Sequence, residues 1–169
     1  FPQNRAKVIV ADIDINKARK VAEGTGGYPL EVDVSNAKSV EQMKIDIFKE
    51  YEKIDIVVNN AGTTHLPAPM ETIEEDEFDR VFNVNCKSVY LTAKHFVPHF
   101  KENKSGVILN IASTAGVSPR PNLNWYNSSK GWMILASKTM AVELAPFGIR
   151  VNVINPVAGE TPLLKSFLG

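Results

Sequence analysis

Five apolar runs, separated by stretches with helical spacing, constrain this chain more than any other feature. The runs are KVIVAD (7–12), YPLEVDV (28–34), KIDIVVNNAG (53–62), GVILNIAS (106–113) and GIRVNVINP (148–156). They are continuous rather than alternating, which is the pattern of strands covered on both faces. Between the first two, Ile15, Ala18, Val21 and Ala22 share a helix face, and Gly24 is placed to stop the helix. A second helix runs to about Tyr51, with Val40, Met43, Ile47 and Tyr51 on one face. Two longer ones are expected over 75–102 and 125–146. Strands that alternate with helices form parallel βαβ units, so the chain reads as one α/β domain with a doubly wound parallel sheet.

Charge and cysteine usage narrow the partners. Lys plus Arg equals Asp plus Glu, 19 of each in 169 residues, so no field draws the chain to nucleic acid or an anionic membrane. The single cysteine, Cys86, excludes a disulfide framework within the chain and fits a reducing, cytoplasmic setting. Cys86 reads as a small buried helix residue rather than a nucleophile. No run is long enough for a membrane span and no signal peptide is visible. The chain opens on Phe1 and enters a strand at once, as a cut chain would.

In doubly wound sheets, ligands bind beyond the carboxyl ends of the strands. Those ends carry Asp12, Asp33-Val34, Asn59-Asn60-Ala61-Gly62, Ser113 and Asn155-Pro156. Each alone is explained by turn chemistry; their recurrence at one sheet edge is not. The stretch NWYNSSKGW (124–132) adds a Tyr and a Lys four residues apart, on one helix face, with Asn124 as expected N-cap.

VDV, NNAG, NVN, Ser113, YNSSK and the NP after the last strand, in that order, resemble the short-chain dehydrogenase/reductase family, with a Rossmann-like sheet. The resemblance covers nearly the whole chain. It implies hydride transfer between a nicotinamide and an alcohol or carbonyl carbon. Tyr126 would be the general acid/base and Ser113 would hydrogen-bond the substrate oxygen. Lys130 would lower the phenol's pKa, normally near ~10, and hold the nicotinamide ribose. Asn85 is the fourth member by resemblance. It also falls inside the apolar stripe Phe78, Phe82, Val89, Ala93, Phe96 and Phe100, where a buried amide must find partners.

For the cofactor, Asp12 ends the first visible strand, where a carboxylate can accept from a ribose 2′-hydroxyl and would repel a 2′-phosphate. NAD is therefore expected over NADP. By resemblance Asp33 and Val34 meet the adenine, Asn60, Ala61 and Gly62 line the central portion, and Pro156 and Thr161 lie toward the nicotinamide. Relative to the family, the first strand with its Gly-rich turn and the C-terminal lid are missing. The substrate is left open between a 3-oxoacyl thioester and a secondary alcohol or sugar. Helices 75–102 and 125–146 are the family's subunit contact, implying a homodimer or homotetramer. Trp132, Leu135, Ala136, Thr139 and Met140 form a second apolar face fit for it. The alternative is a non-catalytic dimerisation or regulatory module. No metal is expected, because His95 and His99 lack a third ligand. His65 reads as a solvated loop residue, and Trp125 and Trp132 as packing.

Overall fold

The computed structural model describes residues 6–157 and 159. The chain divides into two compact units, Phe1–Glu52 and Lys53–Gly169.

The first unit is β1 (Ile9–Asp12), α1 (Ile15–Thr25), β2 (Tyr28–Glu31) and α2 (Ala37–Glu50). β1 and β2 pair in parallel, Ile9 opposite Tyr28 and Asp12 opposite Glu31. Asp14 caps α1 by accepting from the Asn16 and Lys17 amides, and Ala18 and Ala22 are its buried face. The helix runs past Gly24 and ends at Gly26, whose φ of 62° is the left-handed conformation that glycine adopts without steric cost. Gly24 is thus inside the helix. Asn36 caps α2 in the same manner, and Val40, Met43 and Ile47 are buried.

The second unit holds β3 (Ile56–Asn59), β4 (Gly106–Ile111) and β5 (Ile149–Ile154), paired in parallel in that order. All five strands are shorter than the apolar runs containing them. Burial on both faces holds best for β4, whose residues are all buried or partly buried, and fails for β3, where Ile56 and Val58 are exposed. β3 is an edge of its three-stranded sheet and lacks a second neighbour there.

The long helix expected over 75–102 is three pieces: α3 (Glu75–Phe82), a π-helical turn (Asn83–Lys87) and α4 (Ser88–Asn103). α5 spans Asn124–Leu144 and packs Met133 and Ile134 with Val89 and Ala112 into the core. Its N-cap is Leu123, not Asn124, and no side chain caps it. On its other side Trp132 and Leu135 are exposed. Among the described residues no helix is long and apolar enough to cross a membrane.

Candidate active site

The carboxyl end of β4 leads directly into the site. After Ile111 the chain reaches Ser113, whose Oγ accepts from the Ala115 amide at 3.1 Å and starts a 3-10 turn, Thr114–Gly116. The Thr114 amide and hydroxyl both donate to the carbonyl of Pro156, at 3.1 and 3.3 Å, joining the loops after β4 and β5. Gly116 lies flat against α5: a Cβ there would stand 2.7 Å from the backbone nitrogen of Gly131. This close approach brings Ser113 to Tyr126, and the two hydroxyls are hydrogen-bonded.

Tyr126 and Lys130 share one face of α5 as their spacing requires. The Lys130 Nζ lies 5.9 Å from the Tyr126 ring centroid and donates to the Ile111 carbonyl at 2.9 Å. Tyr126, Lys130 and Ser113 are buried, at 4%, 3% and 9% exposure. Burial sets their titration. It lowers Lys130 to about 8, against a small opposite influence of Cys86. It raises the Tyr126 phenol above its ordinary value, with the Ser113 hydrogen bond and the Arg120 cation pulling it back down. The expected lowering by Lys130 is therefore not what governs this tyrosine. The ammonium is turned to a backbone carbonyl, and desolvation of the phenolate outweighs the attractions. Cys86 is buried and its thiol is pushed up to about 12, which makes it an inert packing residue.

Asn85 sits in the π turn, fully buried. Its Oδ1 accepts from the Thr63 amide at 2.9 Å, and its Nδ2 donates to the Thr63 carbonyl and to Ser129 Oγ, both at 2.9 Å. Both amide protons are thus committed to protein partners. Ser129 Oγ in turn donates to the Tyr126 carbonyl at 2.7 Å. The side chain of Asn85 therefore braces the loop after β3 against the first turn of α5. Gly62 lies beside it: a Cβ there would stand 3.3 Å from Lys130 Nζ, tighter than most such contacts, and 3.6 Å from Asn85 Oδ1, an ordinary contact. Asn60 and Ala61, just before it, are exposed.

Sequence reasoning missed Thr63 and Ser129, and a second buried network behind the site. Thr92 Oγ1 donates to Asn59 Oδ1 at 2.9 Å, Asn59 Nδ2 to Asn110 Oδ1 at 2.7 Å, and Asn110 Nδ2 to Ser137 Oγ at 2.8 Å. A signal for it was present: Asn110 interrupts the apolar run GVILNI, and an amide inside a central strand needs partners.

In the first unit, Asp12 Oδ1 accepts from the Asp14 amide at 2.9 Å. Asp33 Oδ1 accepts from the Ser35 amide and hydroxyl, at 2.9 and 2.6 Å, and Val34 beside it is partly buried. Thr161 lies outside the described residues.

His65 corrects the expectation of a solvated loop residue. It is fully buried, with Nδ1 2.8 Å from the Leu66 carbonyl, because the loop after β3 folds inward to meet Asn85. The His99 ring bonds the backbone of Ile54. Among the described residues no three His, Cys, Asp or Glu side chains gather closely enough to hold a metal. Trp125 packs edge-on to Phe78 and donates its indole N–H to the Met70 carbonyl at 3.1 Å.

Comparison with known proteins identifies the family of the chain. The profile of the short chain dehydrogenase family matches residues 1–168. A 4-formylbenzenesulfonate dehydrogenase of Comamonas testosteroni is 52% identical over 116 residues, which are 69% of this chain and 46% of that enzyme. The chain thus aligns with about half the length of that curated relative. A 3-oxoacyl-(acyl-carrier-protein) reductase of Thermotoga maritima is 34% identical over 170 residues, 98% of this chain and 69% of the relative. The crystal structure of a 3-ketoacyl-(acyl-carrier-protein) reductase from Brucella melitensis complexed with NADH superposes with a TM-score of 0.94 at 46% identity, covering 96% of this chain and 70% of that one. On these matches the chain belongs to the short chain dehydrogenase family.

Proposed function

We propose that this chain carries the proton-handling site of an NAD(H)-dependent alcohol dehydrogenase or carbonyl reductase. The observation that carries the reading is the buried cluster in which Ser113 meets the Tyr126 phenol beside Lys130.

When bound, the nicotinamide donates or accepts the hydride. The chain's own residues do the rest. The Tyr126 phenol delivers a proton to the carbonyl oxygen during reduction and takes it back during alcohol oxidation. A buried, raised phenol stays protonated at neutral pH, which suits the reductive direction. Ser113 donates to the same oxygen and stabilises the charge that develops there. Lys130, with its Nζ 5.9 Å from the Tyr126 ring centroid, would hold a ribose hydroxyl of the cofactor. Asn85 acts through Thr63 and Ser129 by fixing the frame around them.

By resemblance, residues of each unit are assigned to separate parts of a dinucleotide. Gly62 offers backbone without a side chain beside Lys130, and Asn60 and Ala61 are open at the end of β3. Asp12 retains acceptor capacity for the adenosine ribose hydroxyls and repels a 2′-phosphate, which favours NAD over NADP. Asp33 and Val34 are assigned to the adenine, and Pro156 and Thr161 to the nicotinamide end. Relatives named for NADH, NAD+ and NADP complexes support a nicotinamide cofactor in general. The substrate is a small alcohol or carbonyl compound. Relatives named as 3-oxoacyl reductase and cyclopentanol dehydrogenase support the two open classes, a 3-oxoacyl thioester and a secondary alcohol.

Self-association belongs to the same proposal. Trp132 and Leu135 leave an apolar stripe of α5 open, and a helix apolar on two sides suits two partners. The second reading, a non-catalytic dimerisation module, rests on that stripe alone. Fluorescence titration with NADH and NADPH, paired with an assay of NADH-dependent carbonyl reduction, separates the readings. Saturable NADH binding tighter than NADPH, with turnover, is expected. A dimer that binds neither nucleotide and turns over nothing would replace this reading with the second.

A further inference from the structure

We propose that Arg80 is a positioning residue for this site, acting through the Thr63–Thr64 backbone on Asn85. Arg80 lies in the last turn of α3, just before the π turn that carries Asn85. Its Nε and Nη2 donate to the two carboxylate oxygens of Glu77, each at 3.0 Å. Nη2 also donates to the Thr64 carbonyl at 3.0 Å, and Nη1 donates to the Thr63 hydroxyl.

Taken as an ion pair alone, this contact would matter little. Glu77 and Arg80 are partly exposed, three residues apart on one helix, and such pairs contribute at most about 1 kcal/mol. What the pair does is orient the fork. Glu77 occupies one edge of the guanidinium, and its carboxyl is held below the usual range by the Arg80 hydrogen bond. The other donors then face the loop after β3. That loop is the one that Asn85 grips from the opposite side, through the Thr63 amide and carbonyl. Thr63 is therefore held from two directions, by a cation through its hydroxyl and by a buried amide through its backbone.

Hydrogen bonds continue inward from Asn85 to Ser129 and from Ser129 to the Tyr126 carbonyl. One chain of bonds thus links a solvent-facing arginine to the first turn of α5. A lysine cannot replace it, because an ammonium is a single point without a planar fork.

This inference rests on the proposed role of Tyr126, and its test keeps the two apart. Amide hydrogen exchange is measured on the wild type, Arg80→Ala and Arg80→Lys. The Thr63 amide is compared with the Ile108 amide in the middle of β4. Arg80→Ala is expected to speed Thr63 exchange by about tenfold, the effect of losing a charged hydrogen bond, with Ile108 unchanged. Arg80→Lys, which keeps the charge, is expected to restore less than half of the protection. In the carbonyl-reduction assay, kcat falls by about three- to tenfold while the KM for NADH holds.

Equal acceleration at Thr63 and Ile108 would mean general destabilisation and would overturn the proposal. So would unchanged Thr63 exchange, full rescue by lysine, or faster Thr63 exchange with unchanged kcat. If instead Tyr126→Phe leaves turnover intact, the function fails while the exchange result still reports on Arg80.

Discussion

The strand-end aspartates of the first unit and the buried polar residues of the second are used differently. In the first unit, the side chains of Asp12 and Asp33 bond groups two residues away. In the second, Asn85 reaches Thr63 and Ser129, Lys130 reaches Ile111, and Asn59 reaches Asn110 across 22, 44, 19 and 51 positions. Local bonds of the first kind form wherever Asp or Asn begins a turn. Long-range bonds among buried polar groups require the whole fold to converge on one place, and an unpartnered member is costly. The second pattern therefore marks a converged polar core, whereas the first alone does not separate a turn from a ligand contact.

Unequal cost of substitution is the first consequence. Asn85→Ala strands the Thr63 amide and carbonyl and removes the donor to Ser129 Oγ, and is expected to lose about 3 kcal/mol in urea unfolding. Asp12→Ala loses one turn bond and about 1 kcal/mol or less. Equal losses would erase the distinction between the two regions.

The buried cluster also predicts a pH signature. Lys130 is near 8 in the folded state and 10.5 when free, so the unfolded state binds more protons between those values. Stability rises with pH from about 8 toward 10.5 on its account. Cys86 acts in the opposite direction, because its thiol moves from 9.0 when free to about 12 in the fold. Tyr126, raised from 10.0, adds to that loss at higher pH. Stability should climb between pH 8 and 9, level off while the two slopes cancel, and fall above about 10. Thermal melts follow this directly. Lys130→Met should abolish the climb, and Cys86→Ala should extend it beyond pH 9. A flat profile in the wild type would contradict the burial of Lys130.

The smallest expected effect tests whether the first unit has a ligand role beyond its turns. Asp12→Asn keeps an acceptor for the Asp14 amide but removes the charge. NADH affinity should fall by about three- to tenfold while NADPH affinity holds or rises. Equal changes for both nucleotides would reduce Asp12 to a turn residue.

Much of the fold was legible because it is written in periodicity. The five runs gave five strands, and Ala18, Ala22, Val40, Met43 and Ile47 are buried as expected, whereas Val21 is exposed and Tyr51 lies just past its helix. The π turn was not legible. Asn83–Lys87 keeps the apolar spacing of its neighbours closely enough that nothing in the sequence marks a five-residue break. The break follows from Asn85 turning to meet Thr63 and Ser129, a tertiary demand. His65 was misread for a related reason: a polar residue in a Pro-containing loop suggests solvent, and only the inward fold of that loop buries it. At the site, the one-turn spacing of Tyr126 and Lys130 was readable. Their titration was not, because desolvation depends on what covers them.

The most direct test of the central claim is carbonyl reduction by Tyr126→Phe set beside its NADH affinity. Phenylalanine keeps the ring and its packing and removes only the hydroxyl that meets Ser113. The account predicts a loss of turnover of about 10²–10⁴-fold with NADH affinity within about twofold. Turnover at the wild-type rate would show that the proton moves elsewhere and would contradict the account.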